Sequence, residues 1–215
     1  TALAMTYAGA AGITAEEIQQ ALHFTLQDDT LHQAFNALDA RLESRSWEDT
    51  DHKGDDIGVL VRSANSLWGQ QDLAFEQPFL DTLATNYGTG VRLVDFETAA
   101  EAARVAINAW VAEETADKIP ELIPGGLINA LTRLVLVNAV YLDATWASQF
   151  DPQLTEDGRF TTLSGDTVTV PMMHQSASLR YGEGDGWQAV DLPYLRNELS
   201  MLLIVPDQGR FAEVE

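Results

Sequence analysis

Cysteine is absent from this 215-residue sequence, and lysine is nearly absent, because only Lys53 and Lys118 occur. Without cysteine the chain can form no disulfide, no thiolate nucleophile and no cysteine-based zinc site. Long apolar runs are missing as well: the longest, Leu134 to Leu142, contains Asn138 and falls short of the ~18 residues that a membrane-spanning helix requires. The sequence therefore predicts no membrane span and no cysteine chemistry.

Positive charge is scarce. The chain has 12 basic against 33 acidic residues, which gives a formal net charge of −21 at pH 7. A polyanion such as DNA or heparin would be repelled, so neither nucleic acid nor heparin is expected as a partner. The preference for arginine over lysine is typical of high-GC bacterial or salt-adapted proteins and indicates a bacterial source.

The sequence contains none of the common motifs for catalysis or for metal binding. There is no H-E-x-x-H pair, no G-x-S-x-G elbow and no glycine-rich phosphate loop of the required spacing. The segment Asp49–Gly54 copies the start of a calcium loop, but Lys53 puts a cation where a ligand belongs and Leu60 replaces the closing Glu. The sequence therefore predicts no catalytic residue, no cofactor and no metal, and the four histidines are interpreted as surface residues: His23, His32, His52 and His174.

What the chain does contain is a composition close to that of ordinary globular proteins, with 46% hydrophobic and 21% charged residues. Its apolar spacing changes between the helical and the strand period. Helices are predicted twice within residues 1–24, the second starting at a Thr14–Glu17 capping box, then over 31–42, 75–87 and a long segment closed by Pro120 and Pro124. Strands are predicted over 57–68, 91–95, 134–142, 160–163, 168–172, 187–192 and 199–205, with residues 47–56 as a polar loop.

The run Leu134–Leu142 does not alternate, which is the pattern of a central strand buried on both faces. Burying the Asn138 amide there without partners would cost about 1–3 kcal/mol, so a polar network around it is expected. No repeat or linker interrupts the chain. A single α+β domain over residues 1–215 is therefore predicted.

Several segments, taken in order, resemble the serpin family. They include Ala64–Trp68, which is similar to the A-N-x-L-W strand of that family, and then, in family order, Val94–Phe96, Ile107–Val111, Thr115–Ile119, Leu122–Pro124, the run 134–141, Trp146, Phe150–Pro152 and Val170–Met173. The resemblance implies the serpin fold, a large mixed or antiparallel sheet A with helices packed on it and parts of sheets B and C. It also implies an incomplete domain, because the chain would start inside a buried helix and stop before the reactive loop.

The resemblance implies a function too. In serpins, a reactive loop is offered to a serine or cysteine protease as a suicide substrate, and the cleaved loop inserts into the central sheet. The expected protein is then an inhibitor, not an enzyme, with a target protease as partner; it is expected to be monomeric and extracellular, a cytoplasmic location being the alternative. The chain itself, lacking that loop, is expected to inhibit nothing. A non-inhibitory serpin that binds a ligand or acts as a storage or chaperone protein is the alternative function.

The resemblance also assigns site residues. Asn138 is expected in the shutter that holds the sheet closed, with Asn108, Thr115 and Thr132 nearby, and Trp146 is expected at the breach where the loop first enters. One departure stands beside that tryptophan: serpins usually have Lys-Gly where this chain has Asp143-Ala144. Alanine restricts the backbone at this turn and aspartate reverses the charge, so the breach is expected to be tuned differently.

Overall fold

A computed structural model describes residues 1–215, except for the side chain of residue 28. In chain order the helices are α1 (Ala2–Ala8), α2 (Ile13–Ala21), α3 (Asp28–Glu43), α4 (Gln77–Tyr87), α5 (Phe96–Glu114) and α6 (Phe211–Val214). The strands are β1 (Trp47–Thr50), β2 (Asp56–Gln70), β3 (Val91–Val94), β4 (Leu134–Ala144), β5 (Glu156–Thr161), β6 (Thr167–Met172), β7 (Arg180–Gly184), β8 (Trp187–Pro193) and β9 (Ser200–Pro206). The α+β class and the main elements predicted from spacing are confirmed.

The chain forms two compact units. The first unit comprises residues 1–44 and 61–142, and the second comprises residues 45–60 and 143–215. The single domain expected over residues 1–215 stays a prediction. No helix among the described residues is long and apolar enough to cross a membrane.

In the first unit, β2 pairs with strands on both sides. Leu67 to Gln70 pair in parallel with β3, while the Gln70 amide donates to the Arg133 carbonyl at 3.0 Å, which brings the start of β4 to the end of β2. β4 therefore runs antiparallel to β2. Within the part of the chain that the structure describes, β2 is the only strand paired with β4.

Helix α5 covers one face of this sheet. Its buried side chains, Phe96, Ala103, Ile107, Trp110 and Val111, form one apolar cluster with Ala64, Trp68, Val137 and Ala139 of the strands and with Ile123 of the following loop. Each fully buried valine, isoleucine or phenylalanine of this cluster contributes roughly 1.5–3 kcal/mol. Arg92 of β3 adds cation–π contacts at 5.4 Å to Trp68 and 5.6 Å to Trp110. This packing explains why the helical stripe predicted on α5 is apolar.

The opposite face of the sheet carries a smaller cluster. Leu67 of β2 packs with Met5 of α1 and Leu83 of α4, all three with no exposed surface, and Leu136 of β4 borders them. Successive strand residues point to opposite faces, so odd-numbered residues near Leu67 and even-numbered residues near Leu136 share this face. We call it the α1 face, and the other the α5 face.

The second unit is built from hairpins. β1 pairs antiparallel with residues Asp56 to Val59 of β2, β5 pairs with β6, and β8 lies between β7 and β9. β9 is apolar in sequence, and every residue before Pro206 is exposed. The predicted β5–β6 hairpin and the strands β8 and β9 are confirmed.

Two local predictions are wrong, and one strand was not predicted. Helix α2 begins at Ile13, with Gly12 as its N-cap in a positive-φ conformation (φ 58°), so Thr14 already lies inside the helix and forms no capping box. Residues 47–56 are not only a loop, because the Asp51 carboxylate accepts from the Lys53 and Asp55 amides (2.7 and 3.0 Å) and closes a turn between β1 and β2. β7 was not predicted, since Arg180–Gly184 has neither apolar alternation nor β-branched residues.

The prediction that β4 is buried on both faces is also wrong. Val137 and Ala139 are buried against α5, but Asn138 and Val140 between and beyond them are exposed. The strand therefore alternates in burial although its sequence does not alternate in hydrophobicity. In the described residues β4 is an edge strand, and little of its α1 face is covered.

Candidate functional site

Asn138 is fixed by the strand next to it. Its side-chain amide nitrogen (Nδ2) donates to Oδ1 of Asn65 on β2 at 2.8 Å. Both residues lie on the α1 face, because Asn65 precedes Leu67 by two residues and Asn138 follows Leu136 by two. The polar partner that the sequence required for Asn138 is thus Asn65, although Asn138 is exposed and not buried as predicted.

Asn108 serves a different segment. It lies on α5, is 7% exposed, and forms three hydrogen bonds with the backbone of the loop that follows the helix. Its Oδ1 accepts from the Leu122 and Ile123 amides at 3.1 and 2.9 Å, and its Nδ2 donates to the Ile123 carbonyl at 2.9 Å. Arg104 strengthens the same attachment, because its guanidinium donates to the Ile123 carbonyl at 2.8 Å and pairs with Glu121 at 2.9 Å.

Thr115 and Thr132 are likewise local. Thr115, with 1% of its surface exposed, ends α5: its hydroxyl donates to the Val111 carbonyl at 2.7 Å and accepts from the Ile119 amide at 3.2 Å. The Thr132 hydroxyl accepts from the Asn129 amide at 3.2 Å in the turn before β4. Each side chain therefore shapes the connection between α5 and β4.

The four residues expected to form the shutter are consequently divided between two places. Asn108 and Thr115 belong to α5 and its loop, whereas Asn138 points away from α5, because its neighbours Val137 and Ala139 occupy that face. The hydrogen bonds described above join each of the four residues to a group outside this set. A shutter role for Asn138, Asn108, Thr115 and Thr132 stays a prediction.

Sequence reasoning missed Asn65 and its neighbours. The Asn65 Nδ2 lies 3.5 Å from the Ser63 hydroxyl, which is two residues away on the same face of β2. The Ser63 hydroxyl in turn hydrogen-bonds the carboxylate of Asp39 on α3. Burial raises the pKa of Asp39, while the chain's amino terminus and the Ser63 hydrogen bond oppose this. The available signal was the pair of polar residues Ser63 and Asn65, spaced by two along β2 and therefore on one face of the strand.

A partly buried His–Tyr pair lies in the same unit. His32 of α3, 4% exposed, and Tyr87 of α4 are joined through Nδ1 and the phenol oxygen at 2.7 Å. Burial, followed by the nearby Asp39 charge, raises the pKa of Tyr87 to about 12. His32 packs edge-on against that ring and beside Tyr7, so it belongs to the packing between helices. The prediction that His32 lies on the surface is wrong.

Trp146, the expected breach residue, lies in the second unit. Its ring stacks on Tyr194 with centroids 4.5 Å apart and 19° between planes, and meets Phe150 edge-on at 6.1 Å. The backbone beside it is held twice, because the Ala147 amide donates to the Pro193 carbonyl and the Leu195 amide to the Thr145 carbonyl at 2.7 Å. Tyr194, 4% exposed, is a further residue that the sequence did not indicate.

The turn after Tyr194 is anchored to β1. Arg196 and Asn197 have positive φ angles of 71° and 57°, unusual for residues other than glycine. The Arg196 guanidinium lies 3.6 Å from the centre of the Trp47 ring, and Arg45 pairs with Glu198 at 2.6 Å. These contacts hold the β8–β9 turn in a conformation that its own residues disfavour.

Asp143, one of the two residues at which this chain departs from the usual serpin pattern, borders a polar cavity of about 460 Å³ in the second unit. Asp143 lines it together with Glu48, Asp49 and Asp56, and Thr145 closes one side through hydrogen bonds with Gly58 at 2.8 and 3.0 Å. No group of three or more His, Cys, Asp or Glu side chains among the described residues could hold a metal ion. Asp143 adds to the acidic surface that Glu48, Asp49 and Asp56 form at the end of β4.

The sequence of this chain is similar to those of known proteins. The family model described as "Serpin (serine protease inhibitor)" matches residues 1–215. An uncharacterized serpin-like protein of Thermococcus kodakarensis is 40% identical over 216 residues, covering 100% of this chain and 48% of that protein. The leukocyte elastase inhibitor of Xenopus tropicalis is 37% identical over 209 residues, covering 96% of this chain and 53% of the relative. The chain thus spans about half the length of the curated relatives it matches.

A solved structure agrees with the fold. AtSerpin1 of Arabidopsis, in its native stressed conformation, superposes with a TM-score of 0.84 at 28% identity, covering 99% of this chain and 53% of that one. The helices, the strands and their order are therefore those expected from the resemblance seen in the sequence.

Proposed function

Because this chain belongs to the serpin family, we propose that the whole protein inhibits a serine endopeptidase by inserting a cleaved reactive loop into the sheet that contains β4. The loop is offered to the protease as a substrate, the protease forms an acyl-enzyme with it, and the inserted loop becomes a new strand beside β4. The protein performs no turnover of its own in this scheme.

The observation that carries the proposal is the match of the serpin family model to residues 1–215. β4 has 11 residues and pairs with β2, so it is long enough for an inserted strand to form a backbone hydrogen-bond ladder with it. β4 is therefore the strand beside which the cleaved loop adds in this proposal.

The energy available from insertion is adequate for this mechanism. Alternate residues of an 11-residue strand face a given edge, so a new strand would form on the order of ten backbone hydrogen bonds, each contributing ~0.5–1.5 kcal/mol net. The sum, on the order of 10 kcal/mol, is comparable with the ~5–15 kcal/mol that stabilises a whole folded domain. Insertion could therefore drive the distortion of a bound protease.

The partner is a serine protease in this proposal, which agrees with the relative named as a leukocyte elastase inhibitor. The formal charge of −21 favours a target with a basic surface over an acidic one. An extracellular location, where such an inhibitor would meet its target, is part of the proposal.

The test is to mix the whole protein with elastase-like and trypsin-like serine proteases and to analyse the products by denaturing gel electrophoresis. We expect a complex that survives denaturation, and none with a protease whose catalytic serine is replaced by alanine, because the acyl bond cannot form. Clean cleavage of the protein with full recovery of protease activity would contradict inhibition and would favour a non-inhibitory serpin that binds, stores or protects other molecules.

A further inference from the structure

The turn between β8 and β9 has a backbone conformation that its own residues disfavour. Arg196 and Asn197 follow each other with φ angles of 71° and 57°. Glycine adopts this left-handed region without a steric penalty, whereas arginine rarely does. Hairpin turns with two consecutive positive φ angles are usually built from Asn-Gly or Asp-Gly. Arginine at position 196 is therefore explained by what its side chain contacts and not by the turn itself.

A distant segment of the chain supplies that contact. The Arg196 guanidinium lies 3.6 Å from the centre of the Trp47 ring on β1, well within the range of a cation–π interaction. Arg45 donates to the Glu198 carboxylate at 2.6 Å, across 153 positions of sequence. We call these four residues the clasp. Because both side chains of the Arg45–Glu198 pair are partly exposed, the contact between Trp47 and Arg196 is the stronger half.

The same turn fixes the position of Trp146. The Tyr194 amide donates to the Leu199 carbonyl at 2.9 Å, and the Leu195 amide donates to the Thr145 carbonyl at 2.7 Å. The Tyr194 ring, in a residue 4% exposed, stacks on the Trp146 ring with centroids 4.5 Å apart. A change in the backbone of the turn would therefore displace both the surface on which Trp146 rests and a hydrogen bond to its neighbour.

We propose that the clasp is a conformational device that positions Trp146. The clasp offsets the cost of the left-handed turn, the turn holds Tyr194, and Tyr194 holds Trp146. Trp47 and Arg196 are thus positioning residues. When the clasp is released, the turn relaxes to ordinary φ angles and the stack on Trp146 loosens.

The consequence for inhibition rests on the proposed function. β4 ends at Ala144, two residues before Trp146. A strand that adds beside β4 pairs with it up to this end, so a closed clasp keeps the end of β4 in place while the strand adds. The positioning of Trp146 itself does not depend on inhibition.

Substitutions at position 196 distinguish this device from ordinary packing. Arg196→Ala removes the cation and keeps the β-carbon that makes a positive φ costly, whereas Arg196→Gly removes the cation and that cost together. The proposal predicts that the alanine variant loosens the turn and that the glycine variant does not. Packing alone predicts equal loosening in both variants.

The experiment uses the whole protein labelled with ¹⁵N-leucine and 5-fluorotryptophan. Hydrogen exchange of the Leu195 amide reports on the turn, and the ¹⁹F signal of Trp146, assigned by its loss in Trp146→Phe, reports on the stack. In Trp47→Leu and in Arg196→Ala we expect exchange at Leu195 to accelerate roughly two- to thirtyfold, the range for one lost cation–π contact, and the ¹⁹F signal to shift.

Glycine should rescue the loss of the tryptophan. In Arg196→Gly, and in the double variant Trp47→Leu with Arg196→Gly, exchange at Leu195 should stay within about twofold of wild type, because glycine adopts the turn without a clasp. The matched control is Glu48→Leu, which lies next to Trp47 in β1 and points to the opposite side of the strand. It should also stay within about twofold of wild type on this scale.

Three results would overturn the positioning role: equal acceleration in Arg196→Ala and Arg196→Gly, no rescue of Trp47→Leu by Arg196→Gly, or an unchanged ¹⁹F signal of Trp146 in Arg196→Ala. Should Trp47→Leu not fold, the comparison of alanine with glycine decides alone, because position 196 is exposed.

A separate readout addresses inhibition. We expect the number of inhibitor molecules consumed per protease molecule to rise in Arg196→Ala and to stay at the wild-type value in Arg196→Gly. An unchanged number in Arg196→Ala despite faster exchange overturns the link to strand addition. If no protease forms a complex while exchange and the ¹⁹F signal respond as expected, the clasp stands and the inhibitory function fails. If inhibition is observed while exchange in Arg196→Ala is unchanged, the clasp fails and inhibition stands.

Discussion

At the scale of single residues, Asn108 is the side chain that joins a helix to its loop. It makes three hydrogen bonds with Leu122 and Ile123 from a position with 7% exposure. A buried amide so placed leaves several backbone groups without partners when it is removed.

Asn108→Ala is expected to destabilise the protein by about 2–4 kcal/mol, because it removes three hydrogen bonds and leaves buried backbone groups unpaired. Urea unfolding monitored by circular dichroism measures this. The control is Asn129→Ala, an exposed residue of the same connection that accepts from the Leu131 amide at 2.9 Å. Equal losses in the two variants would contradict the role assigned to Asn108.

The stack of Trp146 on Tyr194 is the second contact at this scale. Its 4.5 Å centroid distance and 19° angle fall in the range for which aromatic pairs contribute ~0.5–1.5 kcal/mol beyond their buried area. A double-mutant cycle with Trp146→Leu and Tyr194→Leu should yield a coupling energy of that size, and the same cycle with Trp146→Leu and Phe211→Leu should yield about zero. Additivity in the first cycle would show that the stack is only incidental packing.

At the scale of elements, side-chain hydrogen bonds hold α5 in place at its first turn and towards its C-terminal end. Gln70 of β2 accepts from the Phe96 and Glu97 amides at 2.7 and 3.2 Å, and Asp95 caps the same end by accepting from the Thr98 amide at 2.9 Å. The other end is fastened through Asn108 and Thr115. The position of the helix is thus set by hydrogen bonds as well as by its apolar face.

The pH dependence of this helix follows from Asp95. The hydrogen bonds from the Thr98 hydroxyl and amide lower the pKa of Asp95 below its ordinary value. A carboxyl whose pKa is lower when folded stabilises the protein above its unfolded pKa, and this stability is lost as the pH falls through the folded pKa. In Asp95→Asn the melting temperature should therefore fall less steeply than in wild type below about pH 4, where carboxyl groups ordinarily titrate. Thermal unfolding scans between about pH 2.5 and 6 measure this difference.

The contrasting variant is Asp95→Ala, which removes the N-cap at every pH and is expected to lower the melting temperature at neutral pH as well. If wild type and Asp95→Asn lose melting temperature in parallel below pH 4, the titration of Asp95 does not contribute.

At the scale of the whole molecule, charge is the dominant feature. A formal charge of −21 at pH 7 causes self-repulsion that opposes compaction, and added salt screens it. Few cations are available to offset it locally; Arg104 and Arg210 already pair with two acidic residues each. The stability of the protein should depend on ionic strength more than that of a protein with balanced charge.

Raising NaCl from about 0.05 to 1 M at pH 7 should therefore raise the melting temperature by several degrees, where ~1 kcal/mol corresponds to about 2–4 °C for a chain of this size. Differential scanning calorimetry gives the measurement. Near the sequence pI of about 4.2 the net charge vanishes, so the same salt step should have little effect. An equal increase at both pH values would indicate general salting effects and not relief of charge repulsion.

The helices and most strands were predictable, because their apolar spacing is local information. The stripe on α5 and the alternation at the start of β2 each follow from residues that lie close together along the chain. The serpin resemblance was equally accessible, since it depends on residue order. Asn138 as a residue that needs a polar partner was also visible, because it interrupts an apolar run.

The sequence by itself therefore determined the family and the element order, and it marked Asn138 as the polar residue in an apolar run. The tertiary structure alone decided that Asn138 is exposed and which group its side chain meets. A run such as 134–142 has no polar alternation, so the sequence does not say which residues face α5; the register of β4 on β2 settles it and pairs Asn138 with Asn65, 73 residues away. Burial depends likewise on what packs against each face, which is why a strand apolar throughout is exposed on one side here.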